Sequence, residues 1–166
     1  VKGIQKRNLP QTALQLKLSG RGSAAAFAGT LAVANPDPGP IDRERLPLAR
    51  VAAAFSTDFK EIDFKEIKAG IHPAGSLAGK GRANLEGATL DIRVADLDLR
   101  AVYSSLRSTR LSGPLELELA RTRQRVKGTL AQEDMRLTAD AERRGDEIEV
   151  RALHARAGDS EARGSG

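Results

Sequence analysis

The chain has no cysteine and no tryptophan, one tyrosine, one methionine and four phenylalanines among 166 residues. Without cysteine there is no disulfide framework, no thiolate nucleophile and no zinc site built on sulfur, and redox usage fixes no compartment. With aromatics at 3%, a bulky aromatic-lined pocket is not expected. A two-sheet sandwich usually fills its core with branched and aromatic side chains, so it would lack its usual material here. Long apolar runs are also missing. The longest mainly apolar stretch, Leu46–Phe55, contains Pro47 and Arg50 and falls well short of the roughly 20 residues that span a bilayer. Acid is absent from residues 1–35, which carry Lys2, Lys6, Arg7, Lys17 and Arg21; residues 36–166 hold 22 basic and 22 acidic side chains. The net charge of +5 therefore lies at one end. No nucleic-acid partner is expected, because phosphate binding needs clustered cations, usually with stacking aromatics, and the later charges alternate in sign.

What the chain does have is short aliphatic residues in a period of two. Leu, Ile, Val and Phe form roughly 23% of it, just above the roughly 20% below which disorder is expected. Leu14, Leu16 and Leu18 alternate with Gln15 and Lys17; Leu90, Ile92 and Val94 with Asp91 and Arg93; Leu115, Leu117 and Leu119 with Glu116 and Glu118. Val126, Gly128 and Leu130, then Leu137, Ala139 and Ala141, then Ile148, Val150 and Ala152 continue the pattern. Ala26–Ala34, Val51–Phe55, Ile62–Ile67 and Ala74–Leu85 are weaker members. This is the mark of strands with one apolar and one wet face.

Short turn signals separate the runs: Ser19–Gly22, Glu86-Gly87, Glu133-Asp134 and Arg144–Asp146. They leave no room for the long crossovers of a parallel sheet, so the strands are expected to form an antiparallel meander. Asn35–Pro40, with three prolines, is a rigid loop and a candidate break between repeat units. After Val94 the apolar phase slips to Leu97 and Leu99, which predicts a bulge near Ala95-Asp96. Asp98 then caps a predicted short helix, Leu99–Arg107, that turns Val102, Tyr103 and Leu106 inward. Gly-Thr-Leu-Ala occurs at Gly29–Ala32 and again at Gly128–Ala131, a weak internal repeat. Glycines inside strands point to bulges or strong bending. The expected fold is all-β: an elongated, strongly curved antiparallel sheet with an apolar concave groove and at most one short helix. Alternation alone also fits a closed core filled by the same residues. If the face is open, it suits acyl chains, because alkyl burial is worth roughly 0.8 kcal/mol per CH₂ and needs no placed polar group.

The stretch Gly79–Leu99, with its strand ending in Asp-Leu-Asp-Leu, followed by Val102–Leu106 and Leu111-Ser112-Gly113-Pro114-Leu115-Glu116-Leu117, resembles the repeats of the TamB family. The closing segment Leu153–Gly166 resembles them as well, and the likeness is best over residues 75–166. TamB is the AsmA-like component of the translocation and assembly module of Gram-negative bacteria. The resemblance implies a β-taco, a long folded-over sheet with an apolar interior, in a periplasmic protein held in the inner membrane by a segment outside this chain. It also implies that residues 1–166 are one segment of a larger repeat array, which agrees with a chain that starts at Val1 and ends in Arg-Gly-Ser-Gly. The implied partners are phospholipid acyl chains and, through regions absent here, an outer-membrane assembly protein.

Enzymatic chemistry is not expected. His72 and His154 lie far apart with no spaced ligand partner, so neither a metal nor another cofactor is implied. Glu116 and Glu118 share the wet face of one strand, unlike a catalytic pair with one carboxyl in a desolvated cleft. Gly20-Arg21-Gly22 and Gly79-Lys80-Gly81 are too short for a phosphate loop and lack its succeeding helix. The candidate lipid-facing wall is Leu90, Ile92, Val94, Leu115, Leu117, Leu119, Val126, Leu130, Leu137, Ile148 and Val150. A second reading uses the same strands as a structural module whose open edges pair with outer-membrane protein clients, or with a second copy of the chain, by β-augmentation. A third, nucleic-acid binding, rests on the amino-terminal charge alone.

Overall fold

The computed structural model describes residues 13–166. Eleven strands follow one another: β1 (Gln15–Gly22), β2 (Phe27–Ala34), β3 (Leu48–Thr57), β4 (Glu61–Ile71), β5 (Ser76–Asn84), β6 (Gly87–Leu97), β7 (Leu111–Ala120), β8 (Arg123–Gln132), β9 (Met135–Arg144), β10 (Glu147–Ala157) and β11 (Ser160–Gly164). All eleven belong to one antiparallel sheet in strict sequence order, and β1 does not meet β11. Among the described residues there are also a 3-10 turn at Ile41–Arg43 and one helix, α1 (Leu99–Val102). The antiparallel meander expected from the alternation is thus what the chain forms. Among the described residues the most extensive contacts between elements join strands adjacent along the chain.

Local chemistry explains most of the corners. Asn84 Oδ1 accepts from the amides of Glu86 at 2.8 Å and Gly87 at 3.0 Å, closing the β5–β6 turn. Asp58 Oδ1 does the same for Lys60 and Glu61 between β3 and β4. Gly145 and Gly158 adopt the left-handed backbone that the turns after β9 and β10 require. At β1–β2 the turn lies one step later than the glycines suggest. Ser19–Gly22 stays in the ladder, Gly20 pairs with Gly29, and the chain reverses over residues 23–26. The Phe27 ring lies over Gly20, where a methyl group would sit 2.4 Å from its Cζ, so these glycines make room for a neighbour within the sheet.

The proline-rich loop after Asn35 does not interrupt the sheet, since β2 and β3 pair directly across it. Buried Asn35 pins that loop, donating to the carbonyls of Leu46 and Leu48 and accepting from the amide of Asp37. The predicted bulge near Ala95-Asp96 is present: the β6–β7 register slips between Val94 and Leu97, and Asp96 has φ 52°. Asp98 caps α1 as expected, accepting from Arg100 N at 3.0 Å. The helix is shorter than Leu99–Arg107, however. It ends at Val102 because Tyr103 is already extended and the Ser104 amide donates to Asp42 Oδ1 at 2.9 Å rather than to a helical carbonyl. Tyr103 and Leu106 consequently stay exposed, and the inward positions belong to Leu99, Ala101 and Val102. The tail also differs, forming β11 although Ser160–Gly164 offers no aliphatic alternation. Its backbone completes the β10 ladder, and Gly166 exchanges two hydrogen bonds with Val150.

Candidate functional site

Strand register decides which side chains share a face, because successive residues point to opposite sides. Leu90 pairs with Leu117, and Leu117 with Val126. Val126 pairs with Ala141, and Ala141 with Val150. A second row runs Ile92, Leu115, Gly128, Ala139 and Leu153. Val94 opposes Gly113, Leu130 opposes Leu137, Leu119 opposes Gln124, and Ile148 opposes Arg143. All eleven wall residues named from the sequence therefore stand on one face. The same face continues through Gly79, Gly81 and Leu77 on β5, Phe64 and Ile67 on β4, Phe55 on β3 and Leu31 on β2.

This face is not uniform. Toward the end where α1 sits, Val94, Leu97, Leu111 and Leu130 form a buried cluster, with Leu99 and Val102 of α1 packed against it. Val94 is 1% exposed and Leu111 is 0%. Residues 98–110, which join β6 to β7 and include α1, form a strap; Thr109 ties it together, donating to the Leu97 carbonyl and accepting from the Leu99 amide. Asp98 accepts from Ser108 Oγ and from the Thr109 amide. Ser104 anchors the strap to Asp42 of the β2–β3 connection through both its amide and its hydroxyl. At the other end of the strands Leu119 is 41% and Ile148 69% exposed, with no element laid over them among the described residues. Between the two ends Ile92 is buried, while Leu90, Leu115, Leu117, Val126, Leu137 and Val150 are half-buried.

The glycines of this face explain how branched side chains lie flat on it. A methyl group on Gly79 would meet the Asp91 carbonyl oxygen at 2.2 Å and Ile92 Cδ1 at 2.7 Å; on Gly128 it would meet Leu115 Cδ2 at 2.4 Å. Each glycine thus receives the side chain of its cross-strand partner. The wall read from the sequence omitted Gly79 and Gly81 because they break the aliphatic alternation. It also omitted Arg143, which occupies the fourth position of the run Leu137, Ala139, Ala141 and so carries a charge on the aliphatic side.

The opposite face is wet and ionic. Arg125 grips Asp140 with two hydrogen bonds of 2.9 and 2.7 Å, and the bond from Arg125 holds the Asp140 carboxyl below its usual range while raising the guanidinium further. Glu142 is 2% exposed. Burial pushes its carboxyl up, but the Arg144 hydrogen bond and the charges of Arg144 and Arg151 outweigh that and hold it below the usual range. Glu118 pairs with Arg123 at 3.2 Å and Glu116 is exposed, so these two carboxylates lie in solvent-facing positions. A cavity of about 650 Å3 on this side, between Gln132, Arg136, His154 and Glu161, is lined by charges of both signs. His154 contacts Glu161, whereas His72 is exposed in the β4–β5 turn. Among the described residues no group of three His, Asp or Glu side chains is placed to hold a metal, and no helix is long and apolar enough to cross a membrane. Compared with known proteins, the chain matches no family model, no curated protein and no solved structure.

Proposed function

We propose that this chain is a lipid-sheltering segment of a TamB-like periplasmic protein. Its apolar face takes up phospholipid acyl chains and leaves headgroups in water, as part of transport from the inner to the outer membrane and of outer-membrane biogenesis. The observation that carries this reading is the gathering of eleven aliphatic positions on one face over which no second sheet is packed among the described residues. A contiguous apolar surface left uncovered marks a ligand or partner site, and alkyl chains match a wall made of Leu, Ile, Val and Ala. Bending of the sheet toward this face, into the groove of a β-taco, is part of the proposal. Two features support it. The β2–β3 and β6–β7 connections are four strand spacings apart, roughly 19 Å on a flat sheet at about 4.8 Å each, yet they meet through Ser104 and Asp42. Ile92, near the middle of the sheet, is only 8% exposed although no second layer covers it.

The protein so described has no catalytic role. Its anchor in the inner membrane and its contact with an outer-membrane assembly protein belong to parts of the parent outside this chain. Native mass spectrometry of the purified protein tests the reading: co-purifying phospholipid, lost when Ile148 or Leu119 is replaced by Asp, supports it. Lipid-free protein that also fails to bind short-chain phospholipid would end it. The edge-pairing reading has one observation in its favour. The outer sides of β1 and β11 carry no partner strand among the described residues, which leaves backbone donors and acceptors for a client strand. Crosslinking to lipid or to a client strand separates the two.

A further inference from the structure

Among the described strand residues, register places one charged side chain on the mainly aliphatic face, and it stands at the uncovered end. Arg143 lies between Gln124 of β8 and Ile148 of β10, and Leu119 lies beyond Gln124, so the four occupy a single row. Arg143 is exposed, and its Nε donates to the carbonyl of Gly145 at 2.8 Å. The adjacent acid, Glu142, points to the other face, where Arg144 and Arg151 hold it. No carboxylate pairs with Arg143 among the described residues. Most of the other arginines of this sheet belong to the ionic face, several of them with carboxylate partners, whereas Arg143 sets its guanidinium beside Ile148, where it is free to meet an anion from elsewhere.

Dimensions specify that anion further. From Leu137, beside the buried cluster, to Arg143 is six residues of β9, roughly 20 Å at about 3.3 Å per residue. One leaflet of a bilayer spans about 15 Å of hydrocarbon. An acyl chain laid along β8–β10 with its end at the covered cluster therefore brings its phosphate to the level of Arg143. We propose that Arg143, with Gln124 beside it, is the headgroup site of the apolar face and selects acyl lipids of net negative headgroup. A guanidinium presents two parallel donors that fit two phosphate oxygens, and a net-neutral choline headgroup sets its own cation against that charge. This inference rests on the lipid reading of the face.

The test is calorimetric titration of the protein with dihexanoyl phosphatidylglycerol and dihexanoyl phosphatidylcholine below their micelle concentrations. Wild type is expected to prefer the glycerol lipid roughly five- to tenfold. R143Q should lose that preference, because it weakens the glycerol lipid more than the choline lipid, and R143K should retain part of it. Equal binding of both lipids by wild type, or a preference that survives in R143Q, overturns the role of Arg143 and leaves the lipid reading standing. Failure of wild type to bind either lipid overturns both. Inorganic phosphate forms the last arm: phosphate binding that R143Q abolishes, with no gain in affinity from the acyl tails, replaces the headgroup site with a bare anion site.

Discussion

The two ends of the apolar face both carry aliphatic side chains, joined at one end by Gln124 and Arg143, and they differ most in what lies over them. Under α1, Val94 and Leu111 are sealed; at the far end Ile148 and Leu119 face outward. The strands alone do not cause this difference, because aliphatic side chains stand on this face at both ends. The cause is the connections. The longer ones, residues 35–47 and 98–110, leave the sheet at the same end, while the strands at the other end are joined by turns of a few residues. Burial at one end is thus a property of the strap, and at the uncovered end the aliphatic side chains meet solvent.

That contrast is open to direct attack. The largest effect belongs to the sealed end: Val94→Asp buries an unpaired charge and should cost about 4 kcal/mol or more, read as loss of the cooperative melt in circular dichroism. Gly79→Val comes next, at about 1–3 kcal/mol, because its side chain would collide with the Asp91 carbonyl and Ile92. Gly164→Val, with nothing within 4 Å of the added carbon, is the silent control.

Loosening the strap should have a smaller and local effect. Ser104→Ala should speed hydrogen exchange at the amides of α1 while the strand amides stay protected. The same latch carries a pH signature. The hydrogen bonds from Ser104, the hydroxyl first, hold the Asp42 carboxyl below its ordinary value of 3.8. A carboxyl depressed by folding adds stability above that value and loses it as pH falls through the folded pKa. Faster α1 exchange should therefore appear in wild type only below about pH 4 and should lose this dependence in Ser104→Ala. At the uncovered end the change in stability is expected to be small as well: Ile148→Asp should stay within about 0.5 kcal/mol of wild type, while losing the lipid binding proposed for this face. Comparable destabilisation by Ile148→Asp and Val94→Asp would erase the distinction between the ends.

Much of this was legible in the sequence, for a physical reason. Alternation reports which side of a strand is dry, and every residue of the predicted wall lies on that side. The bulge at Asp96 and the cap at Asp98 were legible because a slipped apolar phase and an Asx side chain leave local signatures. The end of α1 was not, since it is set by Asp42, some sixty residues away in the chain. The strand status of Ser19–Gly22 was hidden because glycine marks a turn and a close approach equally well, and only the position of Phe27 separates the two. A slip in β10, between Val150 and Ala152, has no signature of its own: Arg151, the residue out of step, reaches buried Glu142. What covers the face, and where, depends on contacts between loops remote in sequence, which local patterning does not encode.

The unbroken order of strands from β1 to β11 also bears on how such a chain assembles and lengthens. Each strand docks on the one made just before it, so loop closure is short at every step and the ordering cost is met in small instalments. A ribbon of this kind can form from its amino-terminal side while the remainder is still being synthesised, without waiting for a distant segment to arrive. Inserting or deleting a whole hairpin preserves the direction and phase of all the others. Length can therefore change by gene duplication while the pattern of dry and wet sides is kept.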